Sequence, residues 1–134
     1  MSVMINNVQK GIKRGDIFLV NLPDSKGSIQ GGFMRPMIVV ANPLCCKHSS
    51  VIHAVPTTGR VKKWMPTHVE ILVNSNSGLL RDSTALCEQV QLLTKDMLIE
   101  KIGHCGNYIM DEIDRGLMVQ FGLVEGRNNV ACAN

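Results

Sequence analysis

The stretch Arg35-Pro36-Met37-Ile38-Val39-Val40-Ala41-Asn42-Pro43 decides the fold class of this chain. Its centre, residues 37–41, is a short continuous run of apolar side chains, three of them β-branched. Such a run is typical of a strand that is buried on both faces. Asn42-Pro43 then ends the run with turn-forming residues. The pattern predicts a strand at the centre of a covered sheet.

The sequence before this strand predicts a loop and one more strand. Residues 23–35 are rich in glycine and serine, and a loop of this length in a small domain is often functional. The apolar run 17–20, opened by Arg14-Gly15-Asp16, predicts the first strand. Residues 1–13 predict a flexible leader.

The sequence after it predicts further short strands at residues 50–57, 68–73, 84–92 and 99–104. Thr94 can cap a single helical turn at residues 95–98. A helix is predicted from an Asn107 cap, because apolar residues then recur three or four apart; they are Met110, Ile113, Leu117, Phe121 and Val124. Residues 126–134 predict a flexible tail.

This order of elements predicts a mainly β fold with helices (α+β): a small antiparallel barrel with a C-terminal helix against it. The 134 residues fit one domain, placed at residues 14–125. No apolar run approaches the roughly 20 residues of a membrane span, and no signal-peptide pattern opens the chain. We therefore expect a cytoplasmic protein.

The cysteines argue against a disulfide-stabilised fold and against a structural metal site. Five cysteines, with one adjacent pair, do not resemble a disulfide framework, and Cys45-Cys46 with His48 makes a poor tetrahedral site, so we expect no metal.

The charged residues are distributed unevenly along the chain. Residues 1–70 hold nine basic and three acidic residues (+6), whereas residues 71–134 hold five basic and eight acidic residues (−3). The asymmetry suits a polyanion on one face, and it equally fits an ordinary solvated surface.

The common enzyme signatures (GxSxG, HExxH, the P-loop, GxGxxG and a two-metal acidic cluster) are absent from the sequence. Any catalysis must come from sparse polar residues, which RNA permits because its 2′-hydroxyl lies beside the phosphate. Arg35, behind the Gly-rich loop, is the candidate for phosphate stabilisation, and Thr57-Thr58 could supply hydroxyl donors. The alternatives to a catalytic role are an ordinary surface arginine that closes the loop and ordinary threonines at the end of a strand. A two-histidine mechanism is conceivable, but no spacing selects a pair.

A basic loop follows the threonines and contains the only tryptophan. Basic residues beside an aromatic ring can follow a phosphate chain and stack a base. The candidates are Arg60, Lys62, Lys63 and Trp64. An ordinary charged loop with the tryptophan packed beneath it fits the same residues.

In this order, the motifs resemble the MazF/PemK family of toxin endoribonucleases. The matching segments span about residues 14–122, and they are Arg14-Gly15-Asp16-Ile17, Gly27-Ser28-Ile29-Gln30-Gly31-Gly32, Arg35-Pro36-Met37-Ile38-Val39, Thr57, Pro66-Thr67-His68-Val69-Glu70, Arg81-Asp82-Ser83 and Cys87-Glu88-Gln89-Val90. Each segment is weak alone, but the ordered set is specific.

The resemblance implies an SH3-like barrel homodimer that cuts single-stranded mRNA without a metal, leaves 2′,3′-cyclic phosphate and 5′-hydroxyl ends, and is blocked by an antitoxin. It assigns catalysis to Arg35 and Thr57. It places Ser28, Gln30, Ser83 and Gln89 in the RNA groove. We also expect RNA contacts from Phe33, Thr58, Arg81 and the basic-loop residues Arg60, Lys62, Lys63 and Trp64.

Two departures from the family pattern concern the loop before Arg35. Phe33-Met34 puts two residues, where the family usually has one, between the glycine and the Arg-Pro pair, and Ile29 replaces the usual glutamate. Two other classes stay open: a CcdB-like toxin that acts on DNA gyrase, and an RNA-binding module without catalysis.

Overall fold

A computed structural model describes residues 11–24, 27, 29–60, 63–74 and 76–126. Its strands are β1 (Asp16–Val20), β2 (Arg35–Val39), β3 (Val51–Thr58), β4 (His68–Ile71), β5 (Ser83–Leu86), β6 (Gln91–Thr94) and β7 (Leu98–His104). The helices are α1 (Pro43–His48) and α2 (Asn107–Gln120), with 3-10 turns at Cys87–Gln89 and Lys95–Met97. None of the described helices is long and apolar enough to cross a membrane.

The long strand β3 organises the sheet, in which the paired strands are antiparallel. One edge of β3 pairs with β2, while its other edge pairs first with β6 (residues 51–54) and then with β5 (residues 57–58). The order is β4-β5-β3-β2-β1-β7, with β6 beside the start of β3. Arg35 at the start of β2 and Thr57 at the end of β3 therefore lie on neighbouring strands at the same end of the sheet.

Strand β2 is buried on both faces, as its apolar run predicts. Met37 and Val39 pack into one hydrophobic cluster with Phe18 and Leu93, whereas Ile38 packs into a second cluster with Ile113 of α2. These β2 side chains are at most 1% exposed. The two clusters fill the two sides of the strand, which confirms the prediction.

The loop between β4 and β5 brings the ends of the sheet together. The amide of His104 in β7 donates to the carbonyl of Asn76 (2.7 Å), although β7 and β4 are at opposite ends of the strand order. Gly103 lets the loop approach, because a Cβ there would lie 2.2 Å from the Ser77 oxygen. This contact closes the sheet toward a barrel.

Three predictions about local structure were wrong in detail, and one short helix was not predicted. The sequence reading missed α1, although Asn42 accepts the Cys45 amide and Pro43 stands first in the helix, a favoured start. The predicted strand 84–92 is two strands separated by a 3-10 turn. Thr94 makes no side-chain cap, and α2 is capped by Gly106 rather than Asn107.

The apolar stripe of α2 is buried only over its first half. Met110 and Ile113 are in the core, but Phe121 is 62% exposed beyond the end of the helix. Gly116 has a packing reason, because a Cβ there would lie 2.8 Å from the Cys87 sulfur. Of the earlier predictions, residues 1–10 of the leader, the tail from residue 127, Ser28 and Lys62 lie outside the described residues.

Candidate active site

Arg35 opens β2 and lines a cavity of about 370 Å³ at the end of the sheet. One guanidinium nitrogen, Nη2, donates to Oε1 of Gln30. The Nε atom is buried and has no hydrogen-bond partner in the described part of the chain. A buried donor without an acceptor costs free energy, so any rearrangement that gave this N–H an acceptor would be favourable.

Thr57 and Thr58 line the same cavity from the end of β3. Thr57 is only 3% exposed, and its hydroxyl donates to the carbonyl of Pro36 (3.1 Å). The more exposed Thr58 hydroxyl accepts from the Arg60 amide (3.2 Å). The structure thus brings the predicted threonines to Arg35, but the Thr57 proton already has an acceptor.

Arg81, in the loop before β5, and Ser83, the first residue of β5, complete the polar wall. The Arg81 guanidinium packs on the backbone of Gly59, where a Cβ would lie 2.6 Å from Nε. The Ser83 hydroxyl donates to the Arg81 carbonyl (3.0 Å). None of the described residues that line the cavity is acidic.

The other half of the cavity wall is apolar. Leu80 is fully exposed at the cavity edge, and Met34 is 38% exposed beside Arg35. The remaining apolar lining consists of Leu19, Pro36, Leu79 and Ile102. A wall with cationic and apolar halves suits a ligand that carries both a phosphate and a flat ring.

The turn that contains the extra residue before Arg35 has left-handed backbone at two positions. Gly32 has φ 102° and Met34 has φ 61°. A left-handed methionine is uncommon, and here it directly precedes the arginine. Phe33 projects from this turn and is 69% exposed, and Ile29 is 56% exposed.

Gln30 and Gln89 lie behind Arg35 rather than in the cavity lining. The Gln30 amide donates to Oε1 of Gln89 (2.8 Å), and Nε2 of Gln91 donates to the Gln30 carbonyl (3.3 Å). The sequence reading placed Gln30 and Gln89 in the groove and did not include Gln91. Only the fold brings residues 30 and 91 together.

The basic loop divides between two places. Arg60 and Lys63 are exposed, and Arg60 binds Thr58 at the cavity. Trp64 is 47% exposed in a separate groove with Arg115 and two acidic residues, Glu70 and Glu112. The structure therefore does not bring Trp64 to the Arg35 cavity.

Histidines and cysteines stand apart from the cavity. No histidine lines it; His68 binds Glu88 (3.0 Å) and His104 binds Asp16 (2.8 Å). Burial, assisted by the nearby Glu88 carboxylate, raises the pKa of the Cys87 thiol to about 12. No group of three or more His, Cys, Asp or Glu side chains among the described residues could hold a metal ion.

The fold and the cavity define a class: a small antiparallel barrel with two arginines and three hydroxyl side chains around one acid-free cavity. A family model described as PemK-like, MazF-like toxin of type II toxin-antitoxin system matches residues 13–121. The chain belongs to this family.

Known proteins resemble the chain over most of its length. "Endoribonuclease EndoA" of Bacillus subtilis is 35% identical over 115 residues, which are 85% of this chain and 97% of that protein. MazF from Deinococcus radiodurans has a TM-score of 0.70 at 20% identity and covers 83% of this chain and 96% of its own. A mycobacterial endoribonuclease solved with its cognate antitoxin has a TM-score of 0.69 at 22% identity, with 85% and 98% covered. These structures confirm the predicted fold.

Proposed function

We propose that this protein is the toxin of a type II toxin–antitoxin pair and cuts single-stranded RNA as a sequence-specific, metal-independent endoribonuclease. The observation that carries the proposal is the meeting of Arg35, Thr57, Thr58 and Arg81 at one acid-free cavity. Guanidinium groups stay charged at neutral pH and can bind two phosphate oxygens at once. The name of the Bacillus subtilis relative supports the same activity.

RNA supplies its own nucleophile at such a site. The 2′-oxygen forms a bond to phosphorus and the bond from phosphorus to the 5′-oxygen breaks. The proton lost by the 2′-hydroxyl is balanced by one gained at the 5′-oxygen. The ends are therefore a 2′,3′-cyclic phosphate and a 5′-hydroxyl, and no other reactant is consumed. Arg35, which lines the cavity, would stabilise the extra negative charge on the pentavalent phosphorus through its guanidinium group.

The threonine hydroxyls would hydrogen-bond to the oxygens around the phosphorus. We assign Thr57 to the leaving oxygen, a role that requires its hydroxyl to turn away from the Pro36 carbonyl. Thr58 and Arg81 would hold the phosphate chain, and exposed Phe33 would stack a base at the rim. The exposed side chains of Arg60 and Lys63 would extend the positively charged surface that contacts the RNA backbone.

The proposal includes two partners. The mycobacterial neighbour was solved with its cognate antitoxin, and we expect a disordered antitoxin segment to fold over the same groove here and block RNA. We also expect a homodimer that acts on mRNA in the cytoplasm. Mass measurement by light scattering, alone and with the antitoxin, tests both expectations.

Cleavage of a long single-stranded RNA by the purified protein in excess EDTA tests the activity. We expect discrete fragments that begin at one short sequence, with 5′-hydroxyl ends that a kinase labels without phosphatase treatment. A 2′-deoxy sugar at the cleaved position should stop the reaction. Intact RNA together with inhibited gyrase would support the CcdB-like alternative, and salt-sensitive binding without fragments would support the non-catalytic module.

Gly59→Ala should lower RNA cleavage about tenfold without changing stability appreciably. The three atoms nearest to the added methyl group all belong to the end of the Arg81 side chain, so Arg81 should move and weaken a charge-assisted phosphate contact of about 1.5–3 kcal/mol. Cleavage rates and thermal unfolding of the variant measure the two effects. Gly11→Ala, which adds a methyl group in open space, is the control. An unchanged cleavage rate would remove Arg81 from the site.

Cys87→Ser should leave RNA cleavage within about twofold of the wild-type rate, because a buried thiol with a pKa near 12 is not a nucleophile at neutral pH. The variant should lose some stability, since the sulfur packs on Gly116. Cleavage assays and urea unfolding check both parts. A large loss of cleavage in a folded variant would instead indicate cysteine chemistry.

A further inference from the structure

We propose that Gln91 and Gln89 are positioning residues of this site, which hold Gln30 from its two backbone groups so that the Gln30 side chain fixes Arg35. The inference rests on the proposed nuclease function only for its activity readout. The structural half, control of the Arg35 guanidinium by residues 89 and 91, stands on contacts alone.

The three contacts form one continuous path. Gln89 Oε1 accepts from the Gln30 amide (2.8 Å), and Gln91 Nε2 donates to the Gln30 carbonyl (3.3 Å). Gln30 Oε1 in turn accepts from Arg35 Nη2. Both backbone groups and the side chain of Gln30 are thereby engaged, in a loop that contains no strand or helix among its described residues.

The two glutamines stand on well-anchored elements. Gln91 begins β6 and pairs with Ala54 in the middle of β3. Gln89 ends the 3-10 turn, whose Glu88 accepts from the Thr67 hydroxyl (2.8 Å) and contacts the His68 ring (3.0 Å). A catalytic group is held precisely when its support is a packed strand rather than the loop itself.

The amide chemistry of this path preserves the charge of Arg35. An arginine side chain is long, and an acceptor at one nitrogen restricts it without neutralising it. A carboxylate at the same place would restrict it too, but would reduce the positive potential offered to a phosphate. Neutral glutamines therefore orient the guanidinium and leave its full charge for the ligand.

The first test measures Arg35 directly and needs no cleavage. Gln91→Met keeps the side-chain length but has no donor, and Gln91→Glu keeps the shape but can only accept. In both variants we expect the NMR order parameter of the Arg35 Nε–H to fall from a rigid value of about 0.85 to below about 0.6. The control is Gln120→Met, at the exposed end of α2, which should change nothing. An order parameter that stays rigid in folded Gln91→Met and Gln91→Glu would overturn the proposal.

The second test is a double-mutant cycle on single-turnover RNA cleavage. Gln91→Met should slow cleavage about tenfold with little change in RNA affinity, because the guanidinium is displaced by a fraction of an ångström. In an Arg35→Lys background the same change should cost less than about twofold, since the path then has no guanidinium to orient. Equal losses in the two backgrounds would show a purely structural role and overturn the proposal. If the wild-type protein cuts no RNA, the nuclease function is wrong, but the positioning role of Gln91 is still tested by the NMR order parameter of Arg35.

Discussion

Arg35→Ala is expected to lower the single-turnover rate of RNA cleavage by about 10³-fold or more while the protein stays folded. Cleavage through the 2′-hydroxyl adds negative charge to the phosphorus before the 5′-oxygen departs. Two arginines line the cavity; Arg35 is partly buried at the start of the packed strand β2, whereas Arg81 is exposed. Arg81, at the end of a flexible side chain, should contribute much less.

The fold should survive this substitution because Arg35 contributes little to the core. Its backbone pairs with Val20 across β1 and β2, and an alanine keeps that pairing. The apolar clusters on either side of β2 begin at Met37 and Ile38. Circular dichroism and thermal unfolding should therefore match the wild type.

Two further variants separate charge from geometry. Arg35→Lys keeps the positive charge but loses the planar fork, so we expect an intermediate rate. Arg60→Ala removes an exposed arginine that does not line the cavity and should change the rate by about threefold or less. Cleavage by Arg35→Ala at the wild-type rate would contradict the proposed mechanism.

Sequence patterns were sufficient where one stretch determined the environment of a residue. The apolar run of β2 predicted burial on both faces, and Arg35 was identified because it joins a Gly-rich loop to that strand. Arg81 and Ser83 could be placed only through the family resemblance, since nothing in their neighbourhood indicates that they approach β3. The structure brings both to the cavity.

The remaining features depend on contacts between distant segments. Gln91 lies in an unremarkable strand, and its role follows from a hydrogen bond to a residue 61 positions away. Trp64 was grouped with its basic neighbours, but it lines another groove together with residues of α2. The break between β5 and β6 could not be read from alternation, because the pattern of apolar and polar residues continues through the turn.

Gly103→Ala is expected to lower the free energy of unfolding by about 3 kcal/mol, more than any other single methyl addition among the variants considered above. The new Cβ would lie 2.2 Å from the Ser77 oxygen, 2.3 Å from the Ser77 carbonyl carbon and 2.4 Å from the Asn76 oxygen. All three are backbone atoms, so no side chain can rotate to relieve the clash.

The loop that meets Gly103 cannot move away cheaply. Asn74 Oδ1 accepts from the amides of Asn76 (2.8 Å) and Ser77 (3.0 Å), which fixes the turn. Retreat would also break the bond from the His104 amide to the Asn76 carbonyl and withdraw Leu79 from the core. The substitution therefore weakens the contact that joins the two ends of the sheet.

Urea unfolding of Gly103→Ala and of Gly11→Ala measures this cost against a methyl group added in open space. Gly11→Ala should change the free energy of unfolding by less than about 1 kcal/mol. The same loop continues through Leu80 and Arg81 to Ser83, the first residue of β5. Folded Gly103→Ala protein should therefore also cut RNA more slowly, because displacement of the loop would shift Arg81 in the cavity. A Gly103→Ala protein as stable as Gly11→Ala would show that the β4–β5 loop does not close the barrel, and the position of Arg81 opposite Arg35 would then need another cause.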